Sequence, residues 1–114
     1  MSVKLSAALG FAAKAGKIRS GDFTAEKLIK SGEALLIVLD SQASEATQKK
    51  WKDKCSYYSV DIKVAEGAAK YVGRTKNRVF VVTDEGFCKL ILNAAAEDEN
   101  NKEKDIMNQH GEVE

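Results

Sequence analysis

At 114 residues the chain has the length of one domain, with 44% hydrophobic residues to build a core and 31% charged residues to keep its surface wet. No apolar run approaches the roughly 20 residues of a membrane-spanning helix, no signal peptide is expected, and two isolated cysteines, Cys55 and Cys88, suggest reduced thiols in a cytoplasm rather than a disulfide scaffold. The net charge of +1 conceals an asymmetry: residues 1–92 carry 16 basic and 10 acidic side chains, a net +6, and residues 93–114 carry 7 acidic and 2 basic ones, a net −5.

Val3 to Ala15 reads as a helix, with Leu5, Ala8, Leu9, Ala12 and Ala13 on one face and Gly16 as its stop. Lys17 to Ser20 is a short extended piece. "GDFTAEKLIKSG" is a second helix, with Asp22 as N-cap and Gly32 as the glycine that ends it. Its inner face is Ala25, Leu28 and Ile29, and Glu26 is spaced to pair with Lys30. "ALLIVLD" is a continuous apolar run of strand length, which predicts a strand covered on both faces. Ser44 can cap a third helix reaching about Tyr57, with Trp51, Cys55 and Tyr58 at helical spacing. "DIKVA" is a short strand and "EGAAKYVG" one or two helical turns. "NRVFVVTD" holds another apolar strand. "DEGFCKLILNAAA" is the last helix, with Phe87, Leu90 and Ile91 as its apolar stripe. From Glu97 the composition is polar and acidic, so the expected division is a domain over 1–96 and a disordered tail over 97–114. Alternating helices and strands predict an α/β fold, a three-layer α/β/α sandwich around a small mixed sheet of about four strands.

The chemistry-bearing motifs are mostly negative. Gly10 and Gly16 have five residues between them, and Lys17 is followed by Ile18, so the P-loop's four-residue gap and its hydroxyl are missing. No glycine fingerprint for a dinucleotide follows a strand. The single histidine, His110, lies in the acidic segment, so neither a Cys–His pair, a Ser–His–acid triad nor a zinc site assembles. No enzyme and no cofactor is expected, and Cys55 reads as a small buried hydrophobe.

Basic residues are more informative. Lys14, Lys17, Arg19, Lys27 and Lys30 lie around the first two connections. Lys49, Lys50, Lys52 and Lys54 crowd the third helix around Trp51, whose phase says core. Lys70, Arg74, Lys76 and Arg78 precede the last strand. A basic body has the sign of a nucleic-acid binder, although an ordinary solvated surface often carries a surplus of this size.

The order of pieces is specific where single motifs are not. Leu9-Gly10 with Ala15-Gly16-Lys17, then Ser20-Gly21, Asp53-Lys54-Cys55 with Tyr57-Tyr58, and Thr83-Asp84 with Gly86-Phe87, together spanning about residues 5–92, resemble the YlxQ-like bacterial proteins. These belong to the ribosomal-protein superfamily that includes archaeal and eukaryotic large-subunit proteins binding kink-turn RNA. The resemblance implies a non-catalytic, cytoplasmic RNA-binding protein of translation, a ribonucleoprotein component that meets structured RNA, including ribosomal RNA, through the turn into the second helix. It implies no DNA or membrane partner and no cofactor, and it assigns no oligomeric state.

Carried onto this chain, the implied RNA-binding residues are Lys17, Arg19, Ser20, Gly21, Asp22, Phe23, Thr24, Lys27 and Lys30, with Glu66, Gly67 and Ala68 from a second loop. There are departures. Phe23 and Thr24 stand where archaeal members carry Asn-Glu, Ser41-Gln42 replace an acidic pair, and Ala68-Ala69 replace Leu-Gly. Phosphate contacts give affinity and register while base contacts give specificity; the substitutions fall on the second class. The other readings are a translation-associated protein–protein module on the same scaffold and, more weakly, a small nucleotide-binding α/β protein.

Overall fold

A computed structural model describes the backbone of residues 2–113 and the side chains of residues 2–99. The elements run α1 (Val3–Lys14), β1 (Ile18–Ser20), α2 (Asp22–Ser31), β2 (Leu36–Asp40), α3 (Glu45–Tyr58), β3 (Asp61–Ala65), α4 (Ala68–Val72), β4 (Val79–Val82) and α5 (Glu85–Val113). The sheet has the order β1-β4-β2-β3. β1 and β2 both run antiparallel to β4, and β3 runs parallel to β2.

The two apolar runs become the two central strands, as their lack of polar alternation requires. Alternation then divides them between the faces. Leu36 and Val38 of β2, with Phe80 and Val82 of β4, face α1, α4 and α5; Ile37 and Leu39, with Val79 and Val81, face α2 and α3. Phe80 is fully buried, and cutting such a ring to alanine costs about 3–5 kcal/mol. The result is the expected three-layer α/β/α sandwich with a four-stranded mixed sheet.

Helix faces follow the sequence closely at the start of the chain. Leu5, Ala8, Leu9 and Ala12 of α1 are buried, as are Ala25, Leu28 and Ile29 of α2 and Trp51 and Cys55 of α3. Ser44 caps α3 by accepting from the Thr47 N–H at 3.1 Å. Three details differ. The N-cap of α2 is Gly21, without a side-chain bond, rather than Asp22, because the Asp22 carboxylate is held by the Trp51 indole N–H at 2.7 Å. Glu26 pairs across to Lys50 and Lys54 of α3, at 3.2 and 3.5 Å, rather than along its own helix to Lys30. Two cations one turn apart on a packed neighbour outcompete one exposed lysine at a helix end. On α5 the buried positions are Cys88, Ile91, Ala94 and Ala95, whereas Leu90 is 47% exposed and Phe87 is half-buried. Asp84 sets this phase by accepting from the Phe87 N–H at 2.9 Å.

The boundary expected at residue 96 falls inside α5. Beyond it Glu97 meets Lys4 at 2.9 Å, Asp98 accepts from the Ser2 N–H at 3.0 Å, and Glu99 meets Lys63 at 3.6 Å. The side chains of residues 100–114, His110 among them, lie outside the described residues.

Candidate nucleic-acid interface

Strand direction decides which loops meet. Because β1 and β2 oppose β4 and β3 follows β2, the C-terminal ends of β1, β2 and β3 and the N-terminal end of β4 all lie at one end of the sheet. The turn into α2, the β2–α3 loop, the β3–α4 turn and the α4–β4 loop therefore cluster there. In sheet proteins with crossover helices, this end collects ligand-binding groups. Backbone bonds tie the cluster: the Gly21 N–H donates to Val79 O at 2.9 Å, Asp40 N–H to Arg78 O at 2.9 Å, and Ser41 N–H to Ala65 O at 3.2 Å.

Gly21 makes the tight entry to α2 with φ +101°, a conformation that a side chain strains. A Cβ added there would lie 3.8 Å from the Asn77 amide oxygen, so the turn sits directly against the α4–β4 loop. Ala25 N–H reaches Gly21 O at 3.0 Å, and the amides of Asp22, Phe23 and Thr24 have no bond among the described residues. Three N–H groups thus stand open at the positive end of a ten-residue helix.

The expected site residues divide by placement. Phe23 is 84% exposed, and with Lys27 and Lys30 it forms one solvent-facing stripe on α2. Lys17 and Arg19 are exposed; Arg19 lies opposite Val81, on the α2 side of the sheet, and half-buried Ser20 lies opposite Phe80, on the α1 side. Thr24 and Gly67 are half-buried and Glu66 is exposed. Ala68 is fully buried, so only its backbone can reach a ligand. Asp22 faces α3, where it accepts from Trp51 and meets Lys50 at 3.3 Å, so its carboxylate serves helix packing.

Pairing sorts the cations as sequence alone does not. Lys50 and Lys54 are bound to Glu26, Lys63 to Glu99 and Lys4 to Glu97. The Arg78 guanidinium donates to the carbonyls of Thr75 and Asn77, at 2.8 and 3.1 Å, and shapes its own loop. Among the described residues no ion pair engages Lys14, Lys17, Arg19, Lys27, Lys30, Arg74 or Lys76. The lysine-rich third helix, prominent in sequence, spends two of its four lysines, Lys50 and Lys54, on α2. The Lys50 ammonium beside Glu26 holds that carboxyl below its usual range, and Glu26 in turn raises Lys50.

Asp40 is a residue the sequence did not single out for the site. It is 3% exposed at the end of β2, and its carboxylate accepts from the Gln42 and Ala69 amides, each at 2.8 Å. One side chain therefore fixes both the β2–α3 loop and the start of α4. Its only sequence signal is an acid closing an otherwise apolar strand. Neither cysteine offers a reactive group: burial and the charge of Asp61 push the Cys55 thiol up to about 11, and burial also raises Cys88. No cluster of three metal-ligating side chains occurs among the described residues.

The chain matches two curated relatives closely enough to place it. It is 38% identical over 87 residues to the RNA-binding protein YlxQ of Bacillus subtilis strain 168, covering 74% of this chain and 87% of the relative. The chain belongs to the YlxQ family. The RNA-binding protein YlxQ of Enterococcus faecium is 33% identical over 84 residues, covering 71% of this chain and 81% of the relative. Among solved structures, a Bacillus halodurans protein of unknown function superposes with a TM-score of 0.75 at 29% identity, covering 81% of this chain and 96% of that one. A Giardia lamblia 15.5 kD RNA-binding protein superposes at 0.67 with 14% identity, covering 86% and 87%, a likeness of fold. No family model matches. Within the YlxQ family fold, the open α2 N-terminus, exposed Phe23 and unpaired Arg19 are thus this chain's surface at the loop-rich end of the sheet, and Lys27 and Lys30 continue it along α2.

Proposed function

We propose that this YlxQ-family protein is a non-catalytic, cytoplasmic RNA-binding protein of ribosomal-protein type, and that it meets structured, kink-turn-like RNA, ribosomal RNA included, through the turn into α2. One observation carries the reading. Three open backbone amides at the start of α2 stand among unpaired, exposed cations at the end of the sheet where four loops converge. Amides at a helix N-terminus suit a phosphate, and Arg19 and Lys27 supply the charge. Both curated relatives are named RNA-binding proteins, which supports RNA as the ligand. Phosphate contacts set affinity and register here; Phe23 and Thr24 offer fewer groups for reading base edges than a pair of polar amide and acid side chains would.

The test is a gel shift on a kink-turn and on the same RNA with its sheared G·A pairs replaced, with wild type, Lys27→Ala and Lys89→Ala. Lys89 lies near the start of α5, at the other end of the sheet, and its side chain is 73% exposed. Lys27→Ala should lose about 1–3 kcal/mol of RNA binding, the range of a charge-assisted bond, with folding unchanged. The salt slope of log K should be about −3 to −5, as for partial engagement of the available cations. Equal small losses in both variants would refute a defined site and favour a protein–protein module, for which exposed Phe23 would be the anchor.

A further inference from the structure

Beside the α2 turn lies a groove of about 430 Å³ between the last turn of α1 and the end of α4. Its size falls in the range of small-ligand sites, about 300–1,000 Å³. Lys14 and Arg74 line it together with Ser20 and half-exposed Tyr71, over a floor of buried Ile18 and Val72. Among the described residues no carboxylate lines it. We propose that this groove takes an unpaired nucleotide of an RNA strand that continues past the α2 turn, an extension of the functional reading above and dependent on it.

Charge argues for an anion. Lys4, Lys50, Lys54 and Lys63 are held by acids of neighbouring elements, whereas Lys14 and Arg74 have no ion pair among the described residues. The C-terminal end of α1 opposes this, since helix carbonyls repel phosphate. That opposition is blunted here: the carbonyls of Phe11, Ala12 and Ala13 are bonded by the amides of Ala15, Lys17 and Gly16, and Lys14 and Lys17 carry charge at the same end.

Position argues for RNA. Ser20 lines the groove and the next residue is Gly21, the entry to α2. Arg74 lines it too, on the loop that brings Asn77 against Gly21. One strand can therefore pass from the open amides into the groove without leaving basic surface. An exposed aromatic residue argues for an unpaired nucleotide: Tyr71, 41% exposed, lines the groove. A duplex keeps its bases stacked and presents phosphate and sugar, so it gives such a residue no base to stack on; a single unpaired nucleotide brings both a phosphate and a base face.

The experiment compares a blunt-ended kink-turn with the same RNA carrying about four unpaired nucleotides at its 5′ or its 3′ end, near the smallest single-strand site sizes known. One tail polarity should tighten wild-type binding about tenfold, equivalent to one net charge-assisted contact. It should also steepen the salt slope by about 1.4, two single-strand phosphate contacts at about 0.7 each. The Lys14→Gln/Arg74→Gln double variant should lose the tail's gain and keep blunt-RNA affinity within about twofold, with an unchanged melting curve. Lys27→Ala should weaken both RNAs and keep the gain. A tail of neither polarity adding affinity, or a gain that survives in the double variant, overturns the groove while the α2 site stands. If the blunt kink-turn does not bind but a free tail oligonucleotide does, dependent on Lys14 and Arg74, the groove stands and the kink-turn reading falls. Saturable uridine monophosphate binding without any tail effect makes it a small-nucleotide site and overturns the proposal.

Discussion

Replacing Asp40 by asparagine should be among the most damaging single-atom changes in this protein. The carboxylate is 3% exposed and accepts from two amides at 2.8 Å each. Asparagine has one acceptor oxygen, so it keeps one bond and turns its NH₂ toward the other amide. The lost bond, to a charged acceptor, is worth about 1.5–3 kcal/mol, and a buried N–H left unpaired costs about 1–3 kcal/mol, overlapping quantities that together put the loss at about 2–4 kcal/mol. Asp40→Ala loses both bonds and should cost about 3–5 kcal/mol. For a domain of this size the asparagine change lowers Tm by roughly 10 °C or more. Trp51, the single tryptophan and fully buried, is a native reporter. Urea unfolding followed by its fluorescence should show the midpoint falling at unchanged m. Below the transition RNA affinity should also fall, since the β2–α3 loop and the start of α4 lose their common anchor. An asparagine variant within about 0.5 kcal/mol of wild type would refute this account of Asp40.

Asp22→Asn keeps the acceptor for Trp51 and loses only the half-exposed Lys50 pair, so stability should drop by less than about 1 kcal/mol. Removing a negative charge beside the open α2 amides should raise RNA affinity about 2- to 5-fold, and weaker binding in a filter assay would contradict the site. Glu26 titrates low because of Lys50, so its contribution is present above the usual carboxyl value of 4.5 and is lost as pH falls below it. The gap in urea midpoint between wild type and Glu26→Gln should therefore be open at pH 7 and close towards pH 3; a gap independent of pH removes the ion pair from the explanation. Cys55, with its thiol pushed up to about 11, should resist a disulfide reagent at pH 8 until the protein unfolds, and rapid labelling of native protein would show that the α2–α3 layer opens locally.

Period and punctuation alone determined the five helices and four strands of the described residues, because burial on one face or two imposes a pattern that short segments display. Leu5, Ala8, Leu9 and Ala12, the double-faced "LLIVLD" and the glycine that ends α2 are all local signals. So is the family, through pieces that recur in order along the chain. What local pattern cannot hold is which partner a charge or polar group finds. Lys27 and Lys50 look alike in sequence; only packing α3 against α2 turns Lys50 to Glu26 and leaves Lys27 unpaired. Asp22 reads as a helix cap until the Trp51 indole claims it. Asp40 is one more acid until Ala69, 29 residues away, donates to it. The phase of α5 and its run beyond residue 96 rest likewise on contacts with the N-terminal helix and β3. Charges act over a few ångströms in space whatever their separation along the chain, so the strand order, which brings four loops to one end of the sheet, decided which of the 16 cations in residues 1–92 form a surface and which hold the fold together.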